Sequence, residues 1–340
     1  MGAAERDRAG DAAEKKESAW NLAVNIAGVE LKNPVMTASG TFGSGGEYRE
    51  FVDLNCLGAV VTKGVANVPW PGNPAPRIAE TYGGMMNAIG LQNPGIDVFC
   101  NRDLPSLQKW LHRDFCEQNS PDGGESGHAL DTTRIVVNVC GRSVEDYCEV
   151  VERLTEEPVD LLEINISCPN VKEGGIAFGQ DPRAAEQITR AVKKYAKQPV
   201  IMKLSPNVTD IAEMAKAVEA GGADGVSLIN TLTGMKIDIH RQTFAVANKT
   251  GGLSGPAIKP IAVRMVYEVA QAVSLPVIGM GGIATAEDAL EFILAGATAV
   301  SVGTANFYSP TATAEVVDGI RDYMVRHKVK DIKELVGMVK

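Results

Sequence analysis

Eight short apolar runs, rich in β-branched residues, recur along the chain. Each is too short for a typical helix, and continuous apolarity is typical of a strand that is buried on both faces of a parallel sheet. The predicted strands span residues 33–39, 58–64, 134–140, 161–168, 200–205, 225–230, 276–281 and 299–303.

Segments with apolar residues three to four positions apart follow most of these runs, and this spacing is typical of helices that bury one face. The predicted helices span residues 48–54, 97–112, 144–154, 182–195, 210–220, 257–273, 286–295 and 313–327. The composition does not change along this alternation. We therefore predict a closed (β/α)8 TIM barrel that forms a single domain at 19–340, rather than a doubly wound sheet.

Two segments interrupt the alternation, and a third precedes it. Residues 66–95 contain several prolines and glycines and are predicted to form a long, functional loop after the second strand. Residues 117–133 indicate an exposed, dispensable insertion before the third strand, on the side opposite the catalytic face. Residues 1–18 are polar and charged, which predicts a disordered tail.

Composition and charge narrow the class of protein. The net charge of −9 disfavours nucleic acid and anionic membranes as partners. The chain has neither a secretory signal nor an apolar stretch of 18 residues, so we expect a cytoplasmic protein. Its six cysteines include no C-x-x-C pair, so we predict no metal site in this chain.

Candidate functional residues stand at the carboxyl ends of the predicted strands, where the catalytic groups of this fold lie. They include Ser39, Lys63, Gly64, Asn138, Asn165, Lys203, Asn230 and Thr231. One asparagine in such a place is more often a turn former. Several amides and two lysines at the mouth of a dry barrel would be costly without a ligand, so the pattern indicates a polar one.

Glycines in the last third of the chain predict a phosphate site. Gly255, the pair Gly281 and Gly282, and Gly303 with Thr304 stand before the sixth helix and after the seventh and eighth strands. Glycine lets backbone N–H groups approach a phosphate closely, although plain turns use glycine too. A mononucleotide such as FMN is favoured, because the acidic residue of a dinucleotide motif is missing about 20 positions after Gly279.

Cys168 differs from the other cysteines, which we interpret as buried structural thiols. It ends a predicted strand between Asn165 and Asn170, so its thiol can serve as a nucleophile or a general base. No histidine partner is evident, which disfavours a covalent acyl-enzyme.

Five motifs together resemble class 1 dihydroorotate dehydrogenases: residues 33–40 (NPVMTASG), 87–95 (NAIGLQNPG), 165–171 (NISCPNV), 229–231 (INT) and 279–283 (GMGGI). The second and fifth are more similar to type B, the NAD-linked form. The resemblance implies an FMN-dependent oxidation of (S)-dihydroorotate to orotate in pyrimidine biosynthesis, with Cys168 as general base and hydride transfer to FMN N5. It also implies a homodimer and a separate electron-transfer subunit that carries FAD and a 2Fe-2S centre, in a heterotetramer.

The resemblance also assigns roles to residues, Lys203 being placed near the flavin N1/O2 edge. The implied substrate-binding residues are Lys63, Asn87, Ala88, Ile89, Gly90, Leu91, Asn165, Asn170, Asn230 and Thr231. The implied FMN-binding residues are Ser39, Lys63, Gly64, Asn138, Asn165, Lys203, Ile229, Gly255, Gly281, Gly282, Gly303 and Thr304.

Three alternatives stay open at this point. The chain could be a fumarate-linked type A enzyme of the same family, or a domain similar to dihydropyrimidine dehydrogenase that acts on uracil or thymine. It could also be a non-catalytic nucleotide-binding barrel, in which the two lysines and the cysteine framed by asparagines would have little purpose.

Overall fold

The computed structural model describes residues 20–111, 132–167 and 178–339. The strands of these residues, in chain order, are β1 (Val24–Ile26), β2 (Val29–Leu31), β3 (Val35–Thr37), β4 (Ala59–Val61), β5 (Ile78–Thr81), β6 (Gly84–Asn87), β7 (Arg134–Val139), β8 (Leu161–Asn165), β9 (Val200–Lys203), β10 (Gly225–Leu228), β11 (Leu232–Met235), β12 (Ile237–Asp238), β13 (Thr243–Phe244), β14 (Thr250–Ser254), β15 (Val277–Met280) and β16 (Ala299–Val302).

A closed barrel of parallel strands forms the centre of the fold, in the order β3-β4-β7-β8-β9-β10-β15-β16. The pairing of Val302 with Thr37 and of Val300 with Val35 joins the last strand to the first. All eight predicted strands are confirmed, each within its predicted range. Their residues are almost all buried, because side chains of one face fill the barrel and those of the other contact the helices.

The α-helices of the described residues are α1 (Ile96–Val98), α2 (Leu104–Trp110), α3 (Val144–Leu154), α4 (Pro182–Lys193), α5 (Ile211–Ala220), α6 (Lys259–Ala272), α7 (Ala286–Ala295) and α8 (Ala312–His327). A π-helical turn at Phe99–Asp103 connects α1 and α2. Ser143 and Thr285 begin α3 and α7 with capping boxes, since each hydroxyl accepts from a backbone N–H at Asp146 or Asp288.

The predicted helix at 48–54 is wrong. Hydrogen-bonded turns occupy this segment, as between Val52 N and Tyr48 O (3.0 Å), and a 3-10 helix follows at Leu54–Cys56. Tyr48 stacks on Phe42 at 4.0 Å between ring centroids, whereas Phe51 is 59% exposed. The apolar residues of this segment therefore do not form one helical face.

The predicted loop at 66–95 is only partly a loop. Its strands β5 and β6 form a hairpin, and β6 pairs with β14 to complete a four-stranded antiparallel sheet in the order β11-β14-β6-β5. This sheet connects the segment after β4 to the segment after β10. Asn87 pairs with Gly252, 165 positions away, so a local pattern could not indicate the sheet.

Several predictions fall on residues that the structure leaves undescribed. The tail at 1–18, most of the insertion at 117–133, Cys168 and Asn170 all lie outside the described ranges. Within those ranges, no helix combines the length and the apolarity needed to cross a lipid bilayer.

Candidate active site

A cavity of 230 Å³ opens at the carboxyl ends of the barrel strands. With two exceptions, the predicted site residues that the structure describes line it. They are Ser39, Lys63, Gly64, Asn87, Ile89, Gly90, Leu91, Asn165, Lys203, Ile229, Asn230, Thr231, Gly255, Gly281, Gly282, Gly303 and Thr304. Residues from opposite ends of the chain therefore meet at one site, because the barrel brings the ends of its strands together.

The two exceptions are Ala88 and Asn138. Ala88 is buried, and its backbone N–H donates to the carbonyl oxygen of Arg77 (2.7 Å). Asn138 is fully buried behind Gly64, where a Cβ added to the glycine would lie 3.0 Å from Asn138 Oδ1. Asn138 Oδ1 has no hydrogen-bond partner among the described residues. Asn138 is thus placed to support the cavity wall from behind.

Asparagine side chains at the ends of β8 and β10 contact one another. Asn230 Nδ2 donates to Ser167 Oγ (2.6 Å) and to Asn165 Oδ1 (3.5 Å), and Ser167 Oγ donates to Asn165 Oδ1 (2.8 Å). Tyr147 Oη donates to the carbonyl oxygen of Asn165 (2.7 Å). These bonds fix the orientation of both amides, and they hold the chain at Ser167, immediately before Cys168.

Asn207, which the sequence analysis did not identify, holds the backbone that follows Asn230. Its Nδ2 donates to the carbonyl oxygen of Thr231 (3.1 Å), and its Oδ1 accepts from the backbone N–H of Thr233 (2.9 Å). Asparagine is common in turns, so nothing in the sequence distinguished this residue from a turn former.

Lys203 lines the cavity and is only 4% exposed. Its Nζ lies 3.4 Å from Glu163 Oε2, and the carboxylate also accepts from Asn138 Nδ2 (2.6 Å) and Ser227 Oγ (2.8 Å). A buried charge is stable only with such partners. Glu163 was missed, although a carboxylate within the apolar strand LLEIN is itself an unusual feature.

Glycines form a narrow cradle at the side of the cavity where α6 begins. Gly255 and Gly282 have positive φ angles of 97° and 85°, which favour glycine. A Cβ at Gly282 would lie 2.9 Å from both the carbonyl oxygen of Gly255 and the backbone nitrogen of Lys259. The approach of these backbone segments therefore depends on glycine.

The cavity has further lining residues that were not among the predicted site residues. Met85 and Ser254 belong to the four-stranded sheet, and Thr304 Oγ1 donates to Ser254 Oγ (2.8 Å). Ser301 Oγ is buried and has no hydrogen-bond partner in the part of the chain that the structure describes. Ile78 and Phe307, which are 52% and 51% exposed, border the opening.

Three of the cysteines that the structure describes have the properties of structural thiols. Burial raises the pKa of Cys56 to about 11 and that of Cys100 to about 12, with a further rise from the negative charge of Asp53 and Glu157 respectively. Burial also raises the pKa of the Cys148 thiol. These groups are therefore protonated and unreactive near neutral pH.

A buried lysine, an asparagine cluster and a glycine cradle lie at one mouth of the barrel. A comparison of the sequence with known families is consistent with this site. The profile of the dihydroorotate dehydrogenase family matches residues 21–324, so the chain belongs to that family.

Two relatives carry a more specific description. The chain is 66% identical over 320 residues to the catalytic subunit of dihydroorotate dehydrogenase B (NAD(+)) from Lachnoclostridium phytofermentans, which covers 94% of this chain and 100% of that protein. It is 62% identical over 317 residues to the protein of the same description from Alkaliphilus metalliredigens, covering 93% and 98%. A crystal structure of DHODH from Eimeria tenella in complex with ferulenol shares the fold, with a TM-score of 0.74, 24% identity, and coverage of 94% of this chain and 88% of that one.

Proposed function

We propose that this chain oxidises (S)-dihydroorotate to orotate with FMN, as the catalytic subunit of an NAD-linked dihydroorotate dehydrogenase. The observation that carries the proposal is the convergence of Lys203, the asparagine cluster and the glycine cradle on one cavity. The high identity to relatives described as NAD(+)-linked B catalytic subunits supports the same reaction and favours type B over the fumarate-linked form.

The residues of the cavity fit FMN. The glycine cradle at the start of α6 has the close backbone approach that suits a phosphate. Ser301 Oγ supplies an unpaired polar atom, and Lys203 supplies a buried positive charge. In this proposal Ser39, Gly64 and Ile229 contact the rest of the cofactor, and Gly255, Gly281, Gly282, Gly303 and Thr304 surround its phosphate.

When bound, FMN would supply at its N5 atom the acceptor for the hydride that leaves C6 of dihydroorotate. The residues of the chain bind dihydroorotate and remove the proton at C5. Asn165, Asn230 and Thr231, with Asn170 and the loop 87–91, pair with the carbonyl and N–H groups of the ring, since amides both donate and accept. Lys63 contacts the substrate carboxylate, and Cys168 takes the C5 proton as a general base.

The electrons then leave through a partner. The description of the relatives as catalytic subunits supports a second kind of subunit. We propose that it carries FAD and a 2Fe-2S centre and binds a homodimer of this chain. The exposed side chains of Ile78 and Phe307 at the opening make that face accessible to a protein surface.

Anaerobic mixing tests this function. We expect dihydroorotate to bleach the absorbance of the FMN-loaded chain, and NAD⁺ to restore it only after the electron-transfer subunit is added. Stoichiometric reoxidation by fumarate would assign the chain to type A instead. A purified chain that cannot be loaded with FMN would contradict the proposal and favour a non-catalytic barrel.

A further inference from the structure

Four consecutive barrel strands contribute one polar side chain each to a buried network. Asn138 lies on β7, Glu163 on β8, Lys203 on β9 and Ser227 on β10, and none is more than 4% exposed. Lys203 lines the cavity, whereas the other three do not. Glu163 therefore contacts the ammonium group from behind the cavity wall.

The distances indicate how the carboxylate is held. Its two shorter hydrogen bonds, of 2.6 and 2.8 Å, come from the neutral donors Asn138 and Ser227, while Lys203 Nζ lies farther away at 3.4 Å. An ammonium–carboxylate bond is usually 2.7–2.9 Å long. Two neutral donors thus fix the carboxylate in place, and the ammonium keeps donors that it can direct into the cavity.

The Glu163 carboxylate changes the electrostatic potential in the cavity. Reduction adds negative charge to a flavin, and a nearby ammonium stabilises that charge. A negative charge 3.4 Å from the ammonium partly cancels its effect, and the barrel interior screens the two charges less than water does.

We propose that Glu163 is a positioning residue for Lys203, and that its carboxylate lowers the reduction potential of the flavin which the cavity binds. The inference rests on the proposed function, because it takes FMN to be the ligand beside Lys203. Asn138 and Ser227 hold the carboxylate through their hydrogen bonds to its two oxygens.

The test is the variant Glu163→Gln, which removes the charge and keeps the shape. We expect the equilibrium constant for two-electron reduction of bound FMN to rise about tenfold, which is a change of about 30 mV in midpoint potential. The potential is measured by anaerobic equilibration with a redox dye. An unchanged or lower potential would overturn the inference.

A matched variant separates the local charge from a change in net charge. Glu268→Gln removes an exposed carboxylate on α6. It should leave the equilibrium constant within about twofold of wild type, whereas a shift as large as that of Glu163→Gln would indicate a general disturbance and count against the inference. If Glu163→Gln does not fold, Glu163→Asp draws the charge back by one methylene, and its potential should rise by less.

A double variant tests whether Glu163 acts through Lys203. In a Lys203→Met background, the further change Glu163→Gln should shift the potential by a different amount than it does alone, because loss of Lys203 leaves the carboxylate without its charged partner and interacting residues are non-additive. Fully additive shifts would contradict the positioning role. Failure of the wild-type chain to bind FMN would be a separate result, and it would refute the proposed function itself.

Discussion

Residues at the end of β8 link the described site to its proposed base. Asn165 and Ser167 are held by hydrogen bonds from Asn230, and Tyr147 donates to the carbonyl oxygen of Asn165. These bonds hold the chain at Ser167, the residue that precedes Cys168 in the sequence. In the proposed function Cys168 is the general base, and such a base must lie close to the proton that it removes.

Replacement of Cys168 by alanine should leave FMN bound but slow its reduction by dihydroorotate. We expect a decrease of about 100-fold or more, the usual scale for a lost general base. Stopped-flow absorbance of the flavin measures the rate. Cys148→Ala, at a half-buried thiol of α3, is the control and should keep the wild-type rate. Equal rates in the two variants would rule out Cys168 as the base.

At the scale of elements, patterns that are local in sequence predicted structure well. The eight barrel strands and most helices follow from runs of apolar residues and from capping residues such as Ser143 and Thr285. The helix at 48–54 failed because Tyr48 packs on Phe42 instead of along a helical face. The pairing of β6 with β14 was missed because its partners are distant in sequence.

The site residues likewise fall into two groups, those that local patterns predicted and those that they did not. Its glycines and amides could be found because this fold places function at strand ends, whereas Glu163 and Asn207 act through contacts that only the folded chain creates.

The glycine cradle makes a prediction for the element that it begins. Gly282→Ala should weaken FMN binding at least about tenfold, because a Cβ there would push Gly255 and Lys259 apart. Gly28→Ala is the matched control, since Gly28 also has a positive φ but no atom within 4 Å of the added Cβ. Fluorescence titration of the apoprotein with FMN measures both. Equal affinities in the two variants would show that the cradle does not contact the cofactor.

At the scale of the whole molecule, the raised pKa values of two thiols make the free energy of unfolding depend on pH. The pKa values of Cys56 and Cys100 are raised to about 11 and about 12, above the range of a thiol in an unfolded chain. Above about pH 8.5 the unfolded state therefore binds fewer protons than the native state. The contribution of these thiols to stability is complete below that pH and is lost as the pH rises through 11 and 12.

We expect the free energy of unfolding to decrease from pH 8 to pH 10.5, and the double variant Cys56→Ala/Cys100→Ala to show a smaller decrease. Urea denaturation at the two pH values measures the difference. The double variant is compared with itself across pH, so its lower overall stability does not affect the result. An equal pH dependence in both proteins would show that these thiols do not titrate differently on unfolding.

The sheet that pairs β6 with β14 has one more consequence. Asn87 ends β6 beside the proposed substrate loop, and β14 leads directly into Gly255 of the cradle. Backbone hydrogen bonds between β6 and β14 connect these two regions, although they are far apart in the sequence. A residue inserted within β6 or β14 would shift the pairing of the two strands by one position and turn their side chains to the opposite face. We therefore expect the lengths of β6 and β14 to change together, or not at all, wherever the reaction is preserved.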